Sequence, residues 1–111
     1  MTTALKSRVE EFGSAARATV RRRSGGMCEA RIVCSGAEAT HLHHRQLRRG
    51  RDHRAVNALH VCSLCHDAIH RNPAIAYATG AMVSQTNDPA EVPWQGSVAW
   101  QELAARPRVP R

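Results

Sequence analysis

The placement of histidine and cysteine constrains this chain more than any other feature. All seven histidines fall between His41 and His70, and Cys62 and Cys65 lie among them. An ordinary segment of that length carries about one histidine, so the density points to a site. The spacing says more. Residues 63–72 read as a helix, with Ser63 as its N-cap and Pro73 marking its end. His66 and His70 are four apart and share one face of that helix, while Cys65 and Ile69 share a face turned by about 100°. One short helix therefore addresses two centres.

Cys65 belongs to the first of them. Cys28-x5-Cys34 and Cys62-x2-Cys65 form two pairs separated by 27 residues, and tetrahedral zinc takes four thiolates from two short loops. Two disulfides are the alternative for a secreted chain. Residues 1–13 contain no apolar signal core and no stretch approaches a membrane span, so we expect a cytoplasmic protein whose cysteines bind metal. A zinc held this way is structural and closed.

The second centre is framed by two short strands. Residues 39–44 alternate, with His41 and His43 on one side and Leu42 on the other, and residues 58–62 read as a second strand. Between them runs an arginine-rich loop ending at Asn57.

At this point the stretch resembles the HNH endonucleases, whose core is a ββα-metal finger. His44, Asn57 and His66 stand where the three letters fall. The doublet His43-His44 and the pair His66/His70 look like the colicin-type branch, and Cys62-Ser-Leu-Cys65-His66 looks like zinc-stapled HNH proteins of bacteria and their phages. The resemblance covers residues 28–73. It departs from the family in having one loop glycine, Gly50, where many relatives carry two, and His43 where many carry aspartate.

The resemblance implies a catalytic set of His44, Asn57 and His66. His44 would be the general base, since a neutral imidazole suits that task near pH 7. Asn57 would hold the loop by bonding backbone groups across it. His43, His66 and His70 would hold one catalytic divalent ion; an all-nitrogen set favours Mn²⁺, Ni²⁺, Co²⁺ or Zn²⁺ over Mg²⁺. Arg45, Arg48, Arg49, Arg51 and Arg54 would face DNA, with Arg45 a candidate to balance charge at the phosphate. Products with 5′-phosphate and 3′-hydroxyl ends are expected.

The rest of the chain fits a small α+β domain built on that core. Its 111 residues suggest one domain with a thin core, given one Phe, one Tyr and two Trp. We expect an N-terminal basic helix within residues 1–26, running over residues 4–22 on the stripe Leu5, Val9, Phe12, Ala16 and Val20. Its arginines, Arg17, Arg21, Arg22 and Arg23, either cap the helix dipole or face phosphate. Ser24-Gly25-Gly26 stops it, and the zinc-stapled core fills residues 27–73. Residues 74–105 form an extension packed on the core: a cover at Ile75 to Tyr77, a turn at Gly80, a strand at residues 81–83, and a hairpin joining residues 92–94 to 97–100. Trp94 and Trp100 read as packing groups. Residues 106–111 form a basic tail expected to be disordered.

A net charge of +7, from sixteen Lys plus Arg against nine acids, makes a polyanion the natural partner. DNA is the expected one. With no recognition helix or second DNA-binding domain, cutting is expected to be weakly specific or directed by a partner such as a phage terminase large subunit, in the bacterial host cytoplasm, the protein itself being a monomer. Two other classes stay open: a zinc-stabilised nucleic-acid-binding module that does not cut, and an accessory of a DNA-packaging machine that acts only with its partner.

Overall fold

Gly13 and the Gly25-Gly26 pair set the limits of α1 (Ser14–Ser24), the first helix among the described residues. Gly25 adopts φ 65°, a left-handed cap whose N–H bonds the Arg21 carbonyl at 2.8 Å. The structure, a computed structural model, describes residues 12–47 and 52–106. A single helix over residues 4–22 is not what it shows: Gly13 is extended (φ −70°, ψ 169°) and Phe12 turns into the interior, while residues 4–11 lie outside the described part. Arg48, Arg49, Arg51 and residues 107–111 of the tail lie outside it as well.

Strands β1 (His41–His44) and β2 (Ala58–Val61) form an antiparallel ribbon with His41 opposite Val61 and His43 opposite Leu59. Pleating sends alternate side chains to opposite faces, and each face has its own cluster. On one, Val20 of α1 packs with Phe12, Ala58 and Leu42. On the other, Leu59 and Val61 meet Cys65 and Ile69 of α2 (Ser63–Arg71).

The start of α2 differs from the expectation. Cys62 is its N-cap and Ser63 already its first helical residue, because Cys62 follows β2 in extended geometry (φ −78°, ψ 165°). Pro73 ends α2 and opens α3 (Pro73–Thr79), a position where its missing N–H leaves no partner unsatisfied. Residues 75–77 therefore form a helix of their own. Gly80 then turns the chain with φ 88°; a Cβ there would overlap the Pro93 carbonyl.

The expected C-terminal hairpin is replaced by a helix, α4 (Ser97–Ala104). Val98 and Trp100 alternate as strand residues do, yet the run continues through Gln101, Glu102, Leu103 and Ala104, all good helix formers. Trp100 enters the core, Val98 faces solvent, and Trp94 donates its indole N–H to the Glu29 carbonyl at 3.2 Å, so both tryptophans pack. Residues 81–83 form no strand; Met82 and Val83 donate instead to the carbonyls of Ala76 and Arg45. Among the described residues, no helix is long and apolar enough to cross a membrane.

Candidate metal centres

The loop between α1 and β1 delivers the first two cysteines. Cys28 N–H bonds the Ala37 carbonyl at 2.7 Å and Glu29 N–H bonds the His60 carbonyl at 2.7 Å, which lays the loop against β2. Arg31 takes a left-handed φ of 51° and turns the chain back toward α2. Cys28, Cys34, Cys62 and Cys65 come together with every Sγ within 4.8 Å of the others, all as free thiols. The four cysteines are thus arranged to bind a metal ion.

The surroundings suit thiolate ligands. Cys65 Sγ accepts N–H groups from Ile32 at 3.2 Å and Val33 at 3.4 Å, and Cys28 Sγ accepts one from Arg31 at 3.5 Å. Burial works against ionisation of Cys34, but hydrogen bonds from Ala37, Gly36 and the thiols of Cys65 and Cys28 outweigh it and bring Cys34 to about 7. Burial drives Cys65 the other way, to about 12, and its thiol donates to Cys34 Sγ at 3.7 Å. The lowering of Cys34 and the N–H groups aimed at Cys65 and Cys28 both favour the thiolate form that a bound cation requires.

On the neighbouring face of α2, His66 and His70 bring their Nε2 atoms to 3.1 Å, and His43 of β1 completes a set of three ligand atoms within 4.8 Å. His43 is buried, and its Nε2 faces the Ala81 carbonyl at 2.9 Å. A carbonyl accepts only, so Nε2 carries the hydrogen and Nδ1 keeps the lone pair that a metal requires. Burial pushes His43 down to about 4, against the pull of that carbonyl and with His66 and His70 adding to the drop. His66 is lowered too, by burial and then by His70. Neutral imidazoles are what a cation needs, so the residues present fit a divalent ion.

His44 points to the other side of the ribbon. Its ring stacks on Phe12 at 4.1 Å and 14°, and its Nε2 lies 3.5 Å from His53 Nδ1. Asn57 is fully buried: its amide donates to the carbonyls of Gln46 at 3.1 Å and Asp52 at 2.8 Å, and its oxygen accepts from Gln46 N–H at 2.8 Å. It joins the two ends of the loop.

Arg45, expected to face DNA, does not face outward as Arg54 does. Its guanidinium is buried and donates to the carbonyls of Gly80 at 2.8 Å, Val56 at 2.7 Å, Pro89 at 3.2 Å and Val92. We therefore remove it from the phosphate-facing set; it is a tie between the loop and the C-terminal extension. Arg54 is exposed and paired with Asp52 at 2.6 Å and Asp88 at 2.7 Å. Sequence reasoning missed His53, Gln46 and the Ala81 carbonyl. Only His53 had a signal, its place in the histidine-rich stretch.

Comparison of the chain with protein-family models, with curated proteins and with solved structures finds no match.

Proposed function

We propose that the protein is a metal-dependent DNA endonuclease of the HNH kind, with β1, β2 and α2 as its ββα-metal finger. The observation that carries this reading is the convergence of His43, His66 and His70 on one point, with His44 next along the same strand. A divalent ion held by those three would act as a Lewis acid on a phosphate oxygen and on the departing 3′ oxygen. His44 takes the proton of the attacking water on a ring nitrogen. Asn57 keeps the two ends of the loop joined where it leaves the strand that carries His43 and His44. The reaction would be weakly sequence-specific or aimed by a partner, for which a terminase large subunit is our candidate.

The test is conversion of supercoiled plasmid to nicked or linear forms with Mg²⁺, Mn²⁺, Co²⁺, Ni²⁺ and Zn²⁺, comparing wild type with His44→Ala. Cutting that needs metal and is reduced at least about 100-fold by His44→Ala, with the cysteine-bound zinc retained, supports the nuclease and its base together. Full activity with Mg²⁺ alone and none with Mn²⁺ or Ni²⁺ would refute the all-histidine ligand set.

The Phe12 stack favours one other reading, because a base aimed at water is better left uncovered. On that reading the protein is a zinc-stabilised DNA-binding module that does not cut. It predicts salt-sensitive DNA binding that His44→Ala leaves unchanged.

A further inference from the structure

Alongside the two candidate metal centres the molecule has a groove between α1 and the ribbon. It encloses about 650 Å³ and is lined by Arg17, Arg21, Thr40, His41, His44 and His60, with Phe12 at its floor. No acid lines it among the described residues. The run Arg21, Arg22, Arg23, read as one basic cluster from the sequence, divides here into different tasks. Arg23 is committed to the fold: it grips Glu29 through two bonds of 2.6 and 2.7 Å and also donates to the Ala55 and Ala58 carbonyls. Arg22 donates to Thr19 on the outer side of the helix.

Arg17 and Arg21 are four residues apart, one turn along the same face of α1, and both line the groove. That spacing is close to the step between successive phosphates of one strand. The two guanidinium groups that line the groove both stand on its helix wall. His60 on the ribbon wall is held by Ser24 Oγ at 2.7 Å. The same wall carries His44 and His41, whose ring lies 5.1 Å from that of His66.

We infer that this groove seats the phosphodiester backbone of the DNA strand to be cut, with Arg17 and Arg21 holding the phosphates on one side of the scissile linkage. This rests on the nuclease reading for which linkage is cut, but not for binding. Of the basic residues expected to face DNA, it singles out two on α1 that lie outside the arginine-rich loop. Guanidinium groups grip phosphate through paired donors, and each phosphate contact adds to the salt dependence of binding.

The test is fluorescence anisotropy of a labelled duplex titrated with zinc-loaded full-length protein, without added divalent metal, over a range of salt. Arg17→Gln/Arg21→Gln is compared with Arg22→Gln/Arg106→Gln, which removes the same charge elsewhere, and both are checked for zinc content and thermal unfolding. The groove pair should weaken binding about tenfold or more and flatten the log–log salt slope by about 2, while the control pair moves the slope much less. In plasmid cutting the groove pair should raise KM more than it lowers kcat. Equal effects of the two pairs, or wild-type binding by the groove variant, would overturn the inference whether or not the wild type cuts. Arginine-dependent binding with no cutting under any metal would keep the groove and refute the nuclease.

Discussion

Arg45 shows how much one side chain can hold. Its carbonyl partners come from Gly80, Val56, Pro89 and Val92, so a single guanidinium bridges segments up to 47 residues away in sequence. Arg45→Met keeps the apolar stem and removes every donor, leaving buried carbonyls without partners. We expect a loss of about 2–4 kcal/mol in urea unfolding with zinc retained, and only partial recovery in Arg45→Lys, which lacks the planar fork. A loss under about 0.5 kcal/mol would show the bonds to be incidental. This role was not legible in the sequence: nothing local separates an arginine bound to distant carbonyls from an exposed one such as Arg54 in the same loop. The convergence of His43, His66 and His70 was legible because their spacing is local, two of them one helical turn apart and the third on an alternating strand. The contact of His53 with His44 was not, since it depends on where the loop folds.

The elements divide along the same line. The ribbon and α2 could be read because their period and punctuation lie within each segment: alternation at Leu42 and Leu59, Pro73 at the end. α4 was misread because two apolar residues in alternation carry the same pattern as one turn of helix, and what decides is the burial of Trp100 against residues far away. α2 also makes a sharp prediction. At nine residues it is too short to persist alone, and Cys65 and His66 are neighbours that face different centres. Cys65→Ala should lose the bound zinc, lower helical circular dichroism and melt the whole domain. His66→Ala should keep zinc near one equivalent and unfold within a few degrees of wild type, while the second metal ion is no longer bound. If both substitutions removed zinc equally, the two clusters would be one site.

At the scale of the whole molecule, buried neutral histidine sets the response to acid. His43 titrates at about 4 in the folded chain, below its ordinary value of 6.5. The unfolded chain thus binds the extra proton first, so stability is fully present above about pH 6.5 and declines as pH falls toward 4. At about 1.4 kcal/mol per unit of displacement, the decline from this one group is about 3 kcal/mol. Denaturant midpoints of the His43→Gln variant should fall less over that window than those of wild type. Parallel curves would place the acid sensitivity elsewhere.

The bond from His43 to the Ala81 carbonyl also bears on the order in which the candidate centre is completed as the chain is made. His43, His66 and His70 leave the ribosome before residue 81, and the carbonyls of Pro89 and Val92 that hold Arg45 follow later still. A nascent chain that has emerged only as far as α3 has every histidine of the candidate centre but not the group that fixes the His43 tautomer. On the proposed function, a nuclease built this way stays silent until residues 81 to 92 have followed its histidines out of the ribosome.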